Sequence, residues 1–171
     1  DSPASPVESS QAYSGWQLVG RDQDALRLEI LSALIERATV DELSKALFEA
    51  GLLIIALESR ALALSRVLRV EGEGIDIGRS YIMISIDSSG IDFLIIRSGQ
   101  LYFEYFNPWR DIMDESGQIS LELFRTTVLR SLHQVMNFYG QHWPDQVGEV
   151  VLSATALGEE AEKVIKENFS L

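Results

Sequence analysis

The chain has 171 residues, a formal charge of −12 and no cysteine. That charge opposes any general electrostatic attraction to nucleic acid or to an anionic lipid surface. The missing cysteines exclude disulfides and thiolate metal sites, and they fit the cytosol. Hydrophobic residues at 46% and charged residues at 23% describe a globular chain with a core, sized for one domain or two small subdomains. No apolar run approaches the roughly 20 residues of a membrane helix, and no signal-peptide pattern is present. The chain lacks an initiating Met, as a cut or processed product would.

Residues 1–12 are rich in Ser and Pro with little to bury, and they read as a disordered lead-in. YSGWQLVG (13–20) reads as a short strand, followed by a polar turn at 21–24. In residues 25–36, Leu26, Leu28 and Ile30 alternate like a strand, while Leu31, Leu34 and Ile35 fit a helix. The first half of that stretch is read as strand. Thr39 and Glu42 fit a capping box, in which each side chain satisfies a free amide at a helix start. Val40, Leu43, Leu47 and Ala50 then share one helical face, and Gly51 is a natural stop. The apolar run at 52–57 has strand length, and ESRALALSRV (58–67) suits a helix. Residues 13–70 thus form a small strand-helix-strand half. Residues 71–80, with Gly72, Gly74 and Gly78, read as a linker.

The stretch YIMISIDSSGIDFLIIRSGQLYFEYF (81–106) contains three short strands and two turns, Asp87 to Gly90 and Ser98-Gly99. Ile82, Ile84 and Ile86 alternate on one face of the first strand. Phe93, Leu94, Ile95 and Ile96 make the second apolar on both faces, as for a strand covered on both sides. Short loops between consecutive strands predict an antiparallel meander. A helix follows over 120–140, with Leu121, Phe124, Val128, Leu132, Val135 and Tyr139 as its apolar stripe. Thr126, Arg130, His133 and Asn137 lie on its polar side. A strand at 149–152 and a helix at 157–169, burying Ala161, Val164 and Ile165, complete a β-β-β-α-β-α order.

Residues able to carry chemistry are few. Asp87 is either a ligand for metal or water, or a turn former between two strands. Asp76-Ile77-Gly78 resembles a phosphate motif but precedes the strand it should follow, and reads as linker. His133 and His142 have no histidine partner at i+4 for a metal. Ser88, Ser89 and Ser153 lack a base and a nucleophile elbow. Asp111, Asp114 and Glu115 read as a solvated acidic loop, and Arg60, Arg66, Arg69 and Arg79 as a solvated face. Tyr102, Phe103, Tyr105, Phe106 and Trp109 are either core and edge packing or an apolar groove for a partner's peptide. Tyr13 and Trp16 invite the same alternatives. No catalytic, cofactor or metal residue is assigned.

Three stretches resemble one family. ALFEAGLLIIALESRALALSRVL (46–68) is similar to the PilM pattern of helix, "AGL", strand, acidic residue and "ALAR" helix. The three-strand meander resembles the opening of subdomain 2A of those proteins. VVLSATALGEEAEKVIKENF (150–169) resembles their "LSGGGA" turn and the helix after it. The resemblance covers nearly everything after Tyr13. It implies an α/β, ribonuclease-H-like and actin-like fold, with 13–70 as a partial subdomain and 81–171 as subdomain 2A. It also implies a cytoplasmic scaffold, peripheral at the inner membrane, in a type IV pilus or type II secretion-like machine. Such a scaffold binds the cytoplasmic tail of a PilN-like membrane partner, and homo-oligomers fall within the same expectation.

The family's phosphate loop reads Asp-x-Gly-x-x-x-Thr, and Asp87-Ser88-Ser89-Gly90-Ile91-Asp92 keeps the acid but not the early Gly or the Thr. The second glycine-rich turn has become Ser153-Ala154-Thr155-Ala156. The insertion forming subdomain 2B is cut to residues 110–118 or lost, and the first phosphate loop of subdomain 1A has no counterpart. The expectation is a non-enzymatic scaffold with a degenerate nucleotide site and no cofactor. The alternative is an ATP-binding protein, with Mg, that uses the Asp87-Ser88-Ser89 turn for phosphate.

Overall fold

The structure, a computed structural model, describes residues 11–22, 27–71, 74–114 and 116–169. The chain divides into two compact units, Asp1–Arg60 and Ala61–Leu171. Most of the expected lead-in lies outside the described residues. Its last residue, Ala12, is buried and opens the first strand, because it pairs with Glu36. Of the expected linker, 72 and 73 also lie outside the described residues.

The first unit is a hairpin followed by a helix. Strand β1 (Ala12–Asp22) pairs antiparallel with β2 (Arg27–Glu36), and the register shifts between Leu18 and Gly20. The strand pattern in 25–36 therefore wins through to Glu36, not only in its first half, because β1 offers a hydrogen-bonding edge along that length. Helix α1 (Arg37–Glu49) starts at once, with the Arg37 amide donating to the Gln11 carbonyl at 2.8 Å. The expected capping box does not form. Glu36 is the N-cap without a side-chain cap, and Thr39 Oγ1 instead donates to Glu36 Oε2 at 3.3 Å. The end of α1 follows the sequence: Gly51 (φ +80°) lets Gly51 N–H reach Phe48 O and Leu52 N–H reach Leu47 O, both at 2.9 Å. These are the two bonds of a Schellman motif.

Residues 52–57 form no strand, contrary to the expected strand-helix-strand order; the observed order is β-β-α. An apolar run becomes a strand only where another edge takes its backbone groups, and none among the described residues pairs with it. Ile55 is 99% exposed.

The second unit opens with helix α2 (Arg60–Glu71) from Ala61 onward and is built on one four-stranded sheet of order β5-β4-β3-β6. Strands β3 (Ser80–Ile86), β4 (Gly90–Arg97) and β5 (Gln100–Pro108) make the predicted antiparallel meander. Strand β6 (Glu149–Ala154) pairs with β3 in parallel, reached through the long helix α3 (Leu121–His142). Helix α4 (Gly158–Asn168) ends the fold. Ile82, Ile84 and Ile86 of β3 and Ile91, Phe93 and Ile95 of β4 pack with Phe124, Val128, Leu132 and Val135 of α3 and Ala161 and Val164 of α4. The reverse face is buried as well, at Tyr81, Met83, Leu94, Ile96 and Asp92. There Ser65 and Leu68 of α2 share a small cavity with Tyr81 and Ile96. Two covered faces explain why 93–96 are apolar without alternation.

Helix α3 follows its stripe except at Leu121, which is 48% exposed because the first turn extends past the core. Ser120 caps it, accepting from the Leu123 amide at 3.3 Å. The two units differ in what a truncation should cost. Leu132→Ala in the core should lose about 2–5 kcal/mol, whereas Leu34→Ala, on the exposed hairpin, should stay within about 0.5 kcal/mol. Urea denaturation of both variants checks the contrast.

Candidate functional site

Parallel pairing of β3 and β6 brings their carboxyl ends together, so the two turns singled out in the sequence become neighbours. Ile86 is opposite Ala154, and Thr155 donates through both its amide (3.0 Å) and its hydroxyl (3.2 Å) to the Ile86 carbonyl. The first turn is closed by its own side chains. Asp87 Oδ1 accepts from the Ser89 amide at 2.8 Å and the Ser89 hydroxyl at 2.6 Å, the Asx arrangement that makes Asp a turn former. The Asp87 amide donates to the Gly90 carbonyl at 3.1 Å.

Trp109 seals this turn from the side. Its indole Nε1–H donates to the Asp87 carbonyl at 2.7 Å and its amide to the Ser89 carbonyl at 3.3 Å. Its ring stacks on Phe124, centroids 6.3 Å apart. Gly90 is required by the protein itself: a Cβ there would sit 2.2 Å from the Asn107 carbonyl oxygen and 2.8 Å from the Phe106 ring. The second turn has Leu157 in the left-handed region (φ +56°), a conformation that costs a non-glycine residue energy. Strand β6 runs through Ser153 and Ala154, so that turn starts two residues later than its sequence suggests.

A phosphate cradle needs backbone amides and cations directed outward. Here the Ser89 and Thr155 amides point to acceptors within the chain. The nearby acidic charge is unfavourable too. Glu159 and Glu160 lie in the first turn of α4, and Arg125, the cation packed there, is held by Glu160 at 2.6 Å. Among the described residues, no group of three or more His, Asp or Glu is placed to hold a metal.

The opposite end of the sheet carries a polar cluster that the sequence did not reveal. Asp145 accepts from Tyr139 Oη at 2.6 Å, Arg97 Nη2 at 2.9 Å and Ser80 Oγ at 3.1 Å. The Arg97 guanidinium also lies 4.7 Å from the Trp143 ring centroid, within cation–π range. Burial alone would raise the Asp145 pKa. Hydrogen bonds from Tyr139 and Ser80 and the charge of Arg97 outweigh it and hold the carboxyl below its ordinary value. Burial pushes Tyr139 up, and its bond to Asp145 adds to that. The cluster fastens the connection between α3 and β6 to the start of β3 and the end of β4.

The other candidates take structural places. His142 Nδ1 lies 2.7 Å from the Phe138 carbonyl and stacks on Phe138, while His133 packs on Phe169. Asp111 pairs with Arg110 at 3.6 Å. Asp114 organises its own turn, and the Ser116 hydroxyl, then the Gln118 and Ser116 amides, lower its pKa. Glu115 lies outside the described residues. Asp76 accepts from the Gly78 amide at 3.0 Å in a turn before β3. Arg79 lies between Asp76 (3.8 Å) and Glu149 (3.9 Å); the stem of Arg69 lies beside Gly99. In the aromatic run, Tyr102, Phe103 and Tyr105 pack against the core, Trp109 is buried, and Phe106 is 40% exposed. Core and edge packing therefore takes most of it.

The hairpin of the first unit does present an apolar surface. Its register puts Trp16, Leu18, Leu28, Ile30 and Leu34 on one face. Trp16 is 76% and Leu34 68% exposed, and Leu28 and Ile30 are exposed too. Tyr13 lies on the opposite face, donating to Asp41 Oδ1 of α1 at 2.9 Å with Arg37 above its ring.

No family model matches the chain, and no curated protein matches it either. Among solved structures, it is similar to a chain of a PilM-PilN type IV pilus biogenesis complex. The likeness has a TM-score of 0.62 at 12% identity and covers 93% of this chain and 53% of that one. This shows a shared mixed α/β fold. The chain spans about half the length of the structure it matches. No helix among the described residues is long and apolar enough to cross a membrane.

The Asp145 cluster has a testable pH signature. A carboxyl whose pKa is depressed on folding contributes stability above its unfolded value, near 3.8. That contribution is lost as pH falls through the depressed folded value. Asp145→Asn should cost about 1–2 kcal/mol at neutral pH. The variant should also lose less stability than the wild type between neutral pH and about pH 2, measured by urea unfolding across that range.

Proposed function

We propose that this chain is a non-enzymatic, actin-like scaffold of a type IV pilus or type II secretion-like machine. In this reading it lies at the cytoplasmic side of the inner membrane and binds the cytoplasmic tail of a membrane-anchored partner of the PilN type. The observation that carries the reading is the open apolar face of the β1–β2 hairpin, with Trp16, Leu28, Ile30 and Leu34 exposed together. Contiguous apolar surface of this kind marks a site that a partner covers. The fold likeness to a chain from a PilM-PilN complex supports a partner of that class.

A short tail suits such a surface. Its apolar side chains would lie against the hairpin face, and Lys or Arg residues in it would meet a chain of charge −12. A labelled N-terminal peptide of a PilN-type protein, titrated with the chain, should bind saturably. Trp16→Ser combined with Leu34→Ser should weaken that binding at least tenfold, about 1.4 kcal/mol, with an unchanged circular dichroism spectrum. A wild-type chain that ignores the peptide, or a double variant that binds as well, would sink the reading.

A further inference from the structure

We propose that two copies of the chain pair face to face through the β1–β2 hairpin. In that state they cover the surface assigned above to the tail of the membrane partner. The pairing stands on the hairpin alone, whereas its competition with the tail rests on the scaffold reading.

The pattern on the face selects the occupant. Across the two strands Trp16 is opposite Ser32 and Leu34 is opposite Ser14, so each bulky residue has a small one beside it. All four are exposed. A twofold axis in the interface, running along the strands, lays β1 of one copy over β2 of the other. The Trp16 of each copy then covers the Ser32 of its mate, Leu34 covers Ser14, and Leu18 meets Ile30. Bulk falls on a hollow at both serines, which is the self-complementarity that an isologous interface needs. Two sheets stacked in this way, about 10 Å apart, keep their strands nearly aligned.

Size and charge agree with a reversible pair. Trp16, Leu28, Ile30 and Leu34 expose on the order of 500 Å² per copy, so a pair buries about 1,000 Å², the size at which specific interfaces begin. From Ser14 to Leu18 and from Ile30 to Leu34 no charged residue stands on the face. The charge of −12 on each chain repels its copy from outside that patch. Added salt screens the repulsion and strengthens the pairing, whereas it weakens a contact with a basic tail.

Sedimentation velocity of the whole chain tests the pairing. The wild type should pass from monomer to dimer below about 100 μM, and the dimer should tighten about threefold between low salt and ~0.5 M NaCl. Trp16→Ser should weaken it about tenfold. Ser32→Leu adds apolar surface but fills the hollow, so it should also weaken the dimer about tenfold. Unspecific adhesion would instead gain from the added leucine. Because the chain has no cysteine, Ser32→Cys supplies a single reporter thiol. Its alkylation should slow about tenfold at concentrations that favour the dimer. Gln17→Cys, exposed on the other face, should react at one rate throughout.

A wild type that stays monomeric, a dimer tightened by Ser32→Leu, or equal slowing of the two thiols would overturn the pairing. The thiol at position 32, nearly isosteric with serine, decides the matter even if Trp16→Ser or Ser32→Leu fails to fold. A PilN-type peptide added to the dimer separates the two readings. Release of monomers supports the shared face, and binding to an intact dimer overturns the competition. A monomer that binds the peptide removes only the pairing; a dimer that ignores the peptide removes only the scaffold.

Discussion

The second unit depends on β3. Each of its seven residues is buried, and among the described residues it is the one strand with both an antiparallel and a parallel neighbour. A parallel pair cannot be joined by a tight turn, so the chain must cross over the sheet before β6. Helix α3 makes that crossing and in doing so covers one face with Phe124, Val128, Leu132 and Val135. The core and the meeting of the two terminal turns therefore follow from the same pairing. If β6 did not align in parallel with β3, Thr155 would have no path to the Ile86 carbonyl.

Both ends of the sheet are fastened by polar groups, with different chemistry at each. At the carboxyl end, neutral donors from Trp109 and Thr155 meet backbone carbonyls in the turn and strand end. At the other end, the charged pair Arg97 and Asp145 is reinforced by Tyr139 and Ser80. The first fastening uses bonds that do not depend on pH in the ordinary range, whereas the second contains an acid that titrates. Together they fix the connections on either side of α3, so that the helix is held at both termini as well as along its buried stripe.

The first unit is built on a different balance. Its two-stranded sheet has α1 beside Tyr13 on one face and exposes Trp16, Ile30 and Leu34 on the other. A two-stranded hairpin is marginal by itself, and apolar surface left in water forgoes about 25 cal/mol for each Å² that burial would gain. The second unit, by contrast, has a sheet covered on both faces.

Much of this was legible in the residues. Strict alternation at Ile82, Ile84 and Ile86, the helical stripe from Phe124 to Tyr139, and Gly51 as a helix stop each reflect a local rule that the tertiary context did not oppose. The order β-β-β-α-β-α followed from these periods alone. Where local rules competed, the tertiary structure decided. Thr39 and Glu42 matched a capping box, but pairing of β2 with β1 carried the strand to Glu36 and started the helix two residues before Thr39. Residues 52–57 had the composition of a strand, yet a strand needs a second edge, which no composition can guarantee. The site was half legible: Asp87 as a turn former is a matter of short-range hydrogen bonding and could be read directly. Trp109 over that turn, Thr155 on Ile86 and Asp145 on Ser80 join residues 22, 69 and 65 positions apart. Sequence determines what each of those side chains can donate or accept, but only the folded sheet brings each donor within hydrogen-bonding distance of its acceptor.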